Sequence, residues 1–351
     1  MTASVRRLGI LAVACFLALA VAGQAFAAFT PALEASTNDA GTAMKYSQGA
    51  TDDPPAAISF FVPAGFTALL SFPEGEVIGK ATGKATAADL GGAVIALTGT
   101  INAALPTTTI SFAGATVPLS TLATLCTGTV THTAYWVINL SASGQTLQVP
   151  AYVDDIPITT PLSDFVNTSV RICLPPPDVP TGTPGRASLG AKVIEATLTP
   201  NTFSAPPGWY PWRMTATPYT PGTGKANPAG TVQVQSIDRT PQEVTLNAKA
   251  VKRLKRTVSA SGRVVTGGRG ITGADVKIMI GKKVVATAKT KSGGYYSARI
   301  TLPGAAATLT ATATGALRQG GTCTATFPPV PCTGSNFSGF TATSAAVRVK
   351  T

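Results

Sequence analysis

The stretch DVKIMI at residues 275–280 is followed by GK at 281–282 and by KVVATAKT at 283–290. Val276, Ile278 and Ile280 recur at every second position, so they share one face of an extended chain. Gly281-Lys282 has the length and composition of a two-residue hairpin turn. The stretch therefore predicts an antiparallel β-hairpin with one buried face.

Similar short runs flank this hairpin within residues 243–351. Each is rich in Val, Ile, Thr or Tyr and is bounded by Gly, Pro or Ser, which is typical of strands. With the hairpin they make seven strands, a number that fits an immunoglobulin-like β-sandwich. The other candidates are Val244–Ala250, Thr257–Val265, Tyr295–Leu302, Thr308–Thr314 and Ala345–Val349.

Three segments of this part resemble the carboxypeptidase regulatory-like, or transthyretin-like, domain family. They are SGRVV at 261–265, GADVKI at 273–278 and TKSGGYYS at 290–297. The resemblance covers residues 257–302 and implies an Ig-like β-sandwich. Lys291 departs from the family pattern, in which an acidic residue commonly follows the Thr. The resemblance implies little about function, because such modules are attached to many secreted proteins.

The first half is also predicted to be all-β, as one large β-sandwich or jelly roll over residues 28–240. No segment shows sustained helical periodicity. Ile58–Val62 and Phe66–Phe72, separated by a Pro-Ala-Gly turn, predict a hairpin. Two long loops are predicted at 174–187 and 218–230. The other strand candidates are Ala93–Leu97, Thr108–Phe112, Ala134–Leu140, Thr146–Tyr152, Ser169–Leu174, Lys192–Leu198, Trp212–Thr217 and Thr231–Ser236.

Residues 1–27 have the pattern of a signal peptide. Arg6 and Arg7 precede the apolar run Leu8–Val21, and Ala25-Phe26-Ala27 matches a cleavage site. The apolar run is shorter than the ~20 residues that a membrane-spanning helix needs. We therefore expect a secreted, extracellular protein, with retention at the cell surface as one option and no transmembrane segment after cleavage. The composition, rich in Ala, Gly, Thr and Pro, favours a bacterial source.

Four cysteines remain after cleavage. An even number in a secreted chain indicates disulfides, and three pairings are possible. The pairing predicted is the one that keeps each bond within one domain. It joins Cys126 to Cys173 and Cys323 to Cys332.

The charge is distributed unevenly over the chain of 351 residues, whose net charge is +12. Residues 28–242 hold 9 Lys and Arg against 13 Asp and Glu, whereas residues 243–351 hold 16 against 2. The change lies near residues 238–241 and predicts a domain boundary there. A surface this basic attracts anionic polymers. The basic side chains singled out are Lys249, Lys252, Arg253, Lys255, Arg256, Lys282 and Lys283.

The leading hypothesis is a non-enzymatic structural or binding protein of the extracellular space or cell envelope. Its basic C-terminal domain would contact anionic envelope polymers or polysaccharide, and no sequence-specific binding of nucleic acid is expected. The alternative is that the basic side chains form only a solvated face that serves solubility and binds no partner.

A second hypothesis is a carbohydrate-binding module centred on Trp209, Tyr210 and Trp212. If this segment is a strand, Tyr210 and Trp212 share a face with Met214 and are expected in the core, which leaves Trp209 as the better ligand-binding candidate.

A third hypothesis is a hydrolase that uses loop carboxylates. It requires two carboxyl groups to converge in a cleft, as in glycosidases. The candidates are Asp52, Asp53, Glu74, Glu76, Asp154 and Asp155.

Several chemistries are disfavoured. His132 is the one histidine, which argues against a metallocarboxypeptidase site, and no activated partner is visible beside it in the sequence. We expect it to be structural. Residues 79–85 resemble a phosphate-binding loop but have the wrong spacing, so they are predicted to form an exposed turn. The sequence predicts no catalytic residues, no metal site and no cofactor.

Overall fold

The computed structural model describes residues 29–38, 41–142, 145–206, 208–240, 242–251, 254–315, 323–324 and 339–351. The predicted signal peptide, Lys252, Arg253 and Cys332 lie outside these residues.

The described chain consists mainly of β-strands, which confirms the all-β prediction. The strands up to residue 240 are β1 (Ala32–Asn38), β2 (Gly41–Ser47), β3 (Pro55–Pro63), β4 (Thr67–Ala68), β5 (Val77–Ala87), β6 (Ala93–Ala104), β7 (Thr109–Phe112), β8 (Ala115–Pro118), β9 (Ala134–Ala142), β10 (Gln145–Asp155), β11 (Val166–Cys173), β12 (Ala191–Pro200), β13 (Phe203–Ser204), β14 (Gly208–Thr220), β15 (Lys225–Ala226) and β16 (Val232–Thr240). The later strands are β17 (Glu243–Val244), β18 (Asn247–Ala250), β19 (Thr257–Thr266), β20 (Arg269–Gly270), β21 (Asp275–Ile280), β22 (Lys283–Lys289), β23 (Tyr295–Thr301), β24 (Ala306–Gly315), β25 (Cys323–Thr324), β26 (Phe340–Thr343) and β27 (Val347–Lys350).

The first half is built on one large curled sheet, with β4-β13 and β7-β8 as separate two-stranded sheets, rather than on the two stacked sheets that were predicted. Hydrogen bonding is continuous in the order β1-β2-β12-β5-β6-β9-β10-β11-β3-β14-β16-β25, and β15 pairs with β14. The sheet curls until β1 lies beside β16. Because successive side chains of a strand point to opposite faces, every second residue lines the interior. Tyr46, Phe60, Trp136 and Trp212 are buried there in one apolar cluster.

Two predictions for the first half are wrong in detail. Only Thr67–Ala68 of the predicted return strand Phe66–Phe72 is a strand, and it pairs with β13 instead of β3. Phe66 packs edge-on against Tyr210 and Trp212, with ring centroids 4.8 and 5.1 Å away, so this segment contributes to the core. Residues 79–85, predicted to be an exposed turn, lie inside β5.

A nine-residue helix, α1 (Leu119–Thr127), was not predicted. It packs on the outer face of the curled sheet, where Leu119, Leu122 and Ala123 join a cluster with Tyr135 and Tyr152. The segment is too short to show sustained periodicity, and no side chain caps its first turn. Tertiary packing therefore stabilises this helix more than its own sequence does.

Cys126 near the end of α1 is bonded to Cys173 at the end of β11. This bond confirms one of the two predicted disulfides. Cys323 pairs through its backbone with Gln233 in β16 of the first sheet.

The C-terminal part, residues 243–351, is sandwich-like. One sheet joins β17, β18, β20 and β23 to β19, and the other has the order β22-β21-β24-β26 with β27 on β24. A second apolar cluster, which includes Val258, Val276, Ile278 and Leu309, lies between them. The predicted hairpin forms as expected, with Ile280 opposite Lys283 and Gly281 at a φ of +57°.

The buried residues of the first apolar cluster all precede the predicted boundary at 238–241, and those of the second cluster all follow it. The two parts also touch. Trp209 packs against the second cluster, and the Arg239 guanidinium lies 6.0 Å from the Trp209 ring centroid and 5.0 Å from that of Phe340.

Candidate binding sites

The basic side chains of the C-terminal part point mostly to solvent. Lys249, Lys255, Arg256, Lys282 and Lys283 are all exposed. The ion pair found among the described residues of this part joins Lys289 Nζ to Asp275 Oδ1 at 3.5 Å. Both side chains are more than half exposed. An exposed pair of this kind neutralises little of the local field. The positive charge of this part is therefore largely available to an anionic partner.

The structure adds a feature that the sequence did not indicate. A groove of about 810 Å³ lies where β18, β19 and β23 meet the end of β22. We call it the Tyr295 groove. Its charged side chains are Arg263, Lys289 and Lys291, and its polar floor includes Asn247, Ser261 and Ser297, which lie directly opposite one another on three neighbouring strands.

The Tyr295 ring is held in place by Arg263. Tyr295 is 59% exposed, and the Arg263 guanidinium lies 5.1 Å from the centroid of the Tyr295 ring. Arg263 Nε also donates to the carbonyl oxygen of Gly293 at 2.7 Å. This turn requires glycine at 294, because a Cβ there would lie 2.2 Å from the carbonyl oxygen of Val264. The groove thus places a fixed aromatic face beside three positive side chains.

The aromatic cluster proposed for carbohydrate binding is mostly interior. Trp212 is 0% and Tyr210 is 9% exposed, and both lie in the first apolar cluster with Met214. Trp209, on the opposite face of β14, is half-buried against the second cluster. None of the three rings forms an open platform of the kind that a sugar could stack upon.

His132 is part of a buried arrangement at the end of α1. Its Nδ1 lies 2.9 Å from Asp154 Oδ2, and its Nε2 lies 3.0 Å from Thr127 Oγ1. The row of contacts from Thr127 through His132 to Asp154 superficially resembles the nucleophile, base and acid of a catalytic triad. However, the Thr127 hydroxyl donates to the carbonyl oxygen of Ala123 at 2.9 Å, and the His132 side chain is only 1% exposed. The arrangement therefore favours the structural interpretation, in which His132 ties the helix to β10.

Four of the six candidate carboxylates accept hydrogen bonds from separate local partners. Asp52 accepts hydrogen bonds from the Thr30 backbone N–H at 2.8 Å and from its hydroxyl at 2.7 Å. Burial raises the pKa of the neighbouring Asp53, with a smaller contribution from Asp178. Glu74 accepts from Thr108, and Asp154 pairs with His132. Glu76 is exposed, and Asp155 accepts from Thr168 at 3.4 Å. No contact joins the three carboxylate pairs within the described residues.

The described residues contain neither a cluster of metal-ligating side chains nor a helix suited to crossing a membrane. Among them, no three His, Cys, Asp or Glu side chains come together as a metal site would require. None of the helices within that part of the chain has the length and apolar character needed to cross a bilayer.

The resemblance of residues 257–302 to the carboxypeptidase regulatory-like family stays a prediction, because comparison with known proteins does not test it. No protein-family model, no curated protein and no solved structure matches this chain.

Proposed function

We propose that this chain is a secreted, non-enzymatic binding protein of the extracellular space or cell envelope. Its C-terminal part contacts anionic envelope polymers, and the Tyr295 groove is the centre of that contact. The observation that carries this proposal is the grouping of Arg263, Lys289 and Lys291 around an exposed aromatic ring.

The charges of the groove suit a polymer better than a single small ion. Lys289 and Lys291 extend from the end of β22 and the turn after it, while Lys249 and Arg299 lie on the exposed face of the adjoining sheet. A chain of regularly spaced negative groups can contact several of these cations together, and its counterions are released on binding. Binding of this type weakens steeply as the salt concentration rises.

Neutralising two cations of the groove is expected to weaken binding. We expect the Lys289→Gln/Lys291→Gln variant to bind purified cell envelopes about thirty-fold more weakly than the parent at low salt. The reason is that each basic side chain near an anionic surface contributes ~1 kcal/mol. The measurement is co-sedimentation of the mature chain with envelopes at low and high salt.

The matched control is Lys80→Gln/Lys225→Gln, which removes the same charge from exposed positions of the first half. It should bind within two-fold of the parent. Equal losses in both variants would show that net charge alone determines binding, and salt-independent binding by the parent would overturn the proposal.

A further inference from the structure

A second site lies on the outer face of the curled sheet, away from the Tyr295 groove. Arg171 of β11 is directly opposite Ser59 of β3, which is opposite Thr215 of β14. Val170 and Ile172, the chain neighbours of Arg171, point into the core. Alternation along the strand therefore places Arg171, Ser59 and Thr215 side by side on the outer face.

A cleft of about 1160 Å³ opens above this row, and we call it the Arg171 cleft. Its floor is polar, with Ser59, Ser169, Arg171, Thr215 and Thr217. Its walls are apolar and come from α1, from the loop after β11 and from β3 and β8. They include Phe61, Val117, Leu122, Leu125, Pro175 and Pro176. The volume somewhat exceeds the ~300–1,000 Å³ typical of small-molecule sites.

The positive charge on this face has no carboxylate partner. Arg171 Nε is buried without a hydrogen bond, as are Nε and Nη1 of the nearby Arg213, which lies over the Phe165 ring. Among the described residues, no carboxylate oxygen lies within 4.0 Å of either guanidinium. Burial lowers the pKa of Arg171. Arg171 as a whole is half-buried, but a guanidinium nitrogen held out of water without a partner is costly, and an anion bound beside it offsets that cost.

The surroundings of Arg171 also limit the charge of a ligand. Asp154 lines the same cleft and is bound to His132, so it would repel a second negative group. Arg171 is the single Lys or Arg among the described lining residues. A polyanion is therefore disfavoured here, whereas one acidic group attached to an apolar body fits both the charge and the walls.

We propose that the Arg171 cleft binds an amphipathic organic monoanion. The acidic group of the ligand accepts hydrogen bonds from Arg171, and the apolar body of the ligand lies against the α1 wall formed by Leu122 and Leu125.

The test uses an aromatic monoanion as a probe. We expect the mature chain to bind 1-anilinonaphthalene-8-sulfonate with a rise in the fluorescence of the probe. The Arg171→Met variant should bind it about ten- to a hundred-fold more weakly, because a hydrogen bond to a charged group is lost. The uncharged analogue N-phenyl-1-naphthylamine should bind both proteins with similar affinity. Arg348→Met removes an equal charge from an exposed position in the C-terminal part and should leave probe binding unchanged.

Stability separates a ligand-binding arginine from a structural one. If Arg171 serves a ligand, the empty Arg171→Met protein should be as resistant to urea as the parent, or more so. A structural arginine would give the reverse, with lower resistance and unchanged probe affinity, and that result would overturn the proposal.

A second variant leaves the floor of the cleft unchanged. Leu125 is 81% exposed at the rim of the cleft, so Leu125→Glu should fold normally. It should weaken binding of the anionic probe several-fold more than binding of the neutral one, because both probes lose an apolar contact but only the anionic probe is repelled by the new charge. If neither variant alters binding of the anionic probe, or the parent binds no probe at all, the cleft is not an anion site.

Discussion

Replacing Cys126 and Cys173 together by alanine is expected to lower the free energy of unfolding by about 4 kcal/mol. The two cysteines are 47 residues apart in sequence, and their bond restricts a loop of that size in the unfolded chain. In the folded state α1 is also held by Leu119 and Leu122, so the variant should keep its native structure. The measurement is urea unfolding followed by tryptophan fluorescence.

The same variant can test the disulfide that lies outside the described residues. Reductant should destabilise the parent by at least the amount that the double substitution does. If Cys323 and Cys332 are also bonded, reductant should destabilise the double variant further. An unchanged unfolding midpoint in the double variant, relative to the oxidised parent, would contradict the expected stabilisation.

Asp238→Asn is expected to stabilise the protein above neutral pH, by as much as ~4 kcal/mol. Asp238 is 1% exposed, and burial raises its pKa from 3.8 to about 7, although hydrogen bonding by Thr37 and by the Arg239 backbone acts in the opposite direction. The positive charge of Arg239, whose guanidinium lies near the Trp209 and Phe340 rings, also lowers the pKa of this carboxylate, but burial has the larger effect.

The direction of the pH effect follows from proton binding. Between about pH 4 and pH 7 the folded chain holds the Asp238 proton, while the unfolded chain releases it. The contribution of this group to stability is therefore lost as the pH rises through that range. An asparagine does not titrate, so the variant should lack this decrease.

Urea midpoints at several pH values between 4 and 9 would measure this difference. Asp164→Asn, which changes an exposed carboxylate, is the control and should follow the parent. Parallel pH profiles for the parent and Asp238→Asn would contradict the expectation.

Sequence patterns predicted the strands whose inner positions carry large apolar residues. Val276 and Ile278 in β21 and Trp136 and Ile138 in β9 are buried as alternation requires. β5 was missed because its inner positions after Ile78 are small. Gly79 lies so close to β12 that a Cβ there would be 2.6 Å from the carbonyl oxygen of Thr199. The glycines that suggested a turn are instead required by the close approach of two neighbouring strands.

The candidate sites were less predictable than the fold. Arg263 and Tyr295 are 32 positions apart in the chain, and Arg171 and Ser59 are separated by more than 100 positions. They become neighbours only through the pairing of β19 with β23 and of β11 with β3. Sequence reasoning instead selected the densest local cluster of basic residues, because neighbours across a sheet are not evident in one sequence.

The pairing of β25 with β16 has a consequence for dissecting the chain. A fragment that ends at residue 242 would lack Cys323–Thr324 and leave the backbone of Val232 and Gln233 unpaired on that side. An exposed strand edge can recruit a strand from another copy, so such a fragment would be prone to self-association. Removing the basic part for a binding assay would thus expose a strand edge that is covered in the intact chain. Substitutions in the intact chain are therefore the sounder way to assign function to either part.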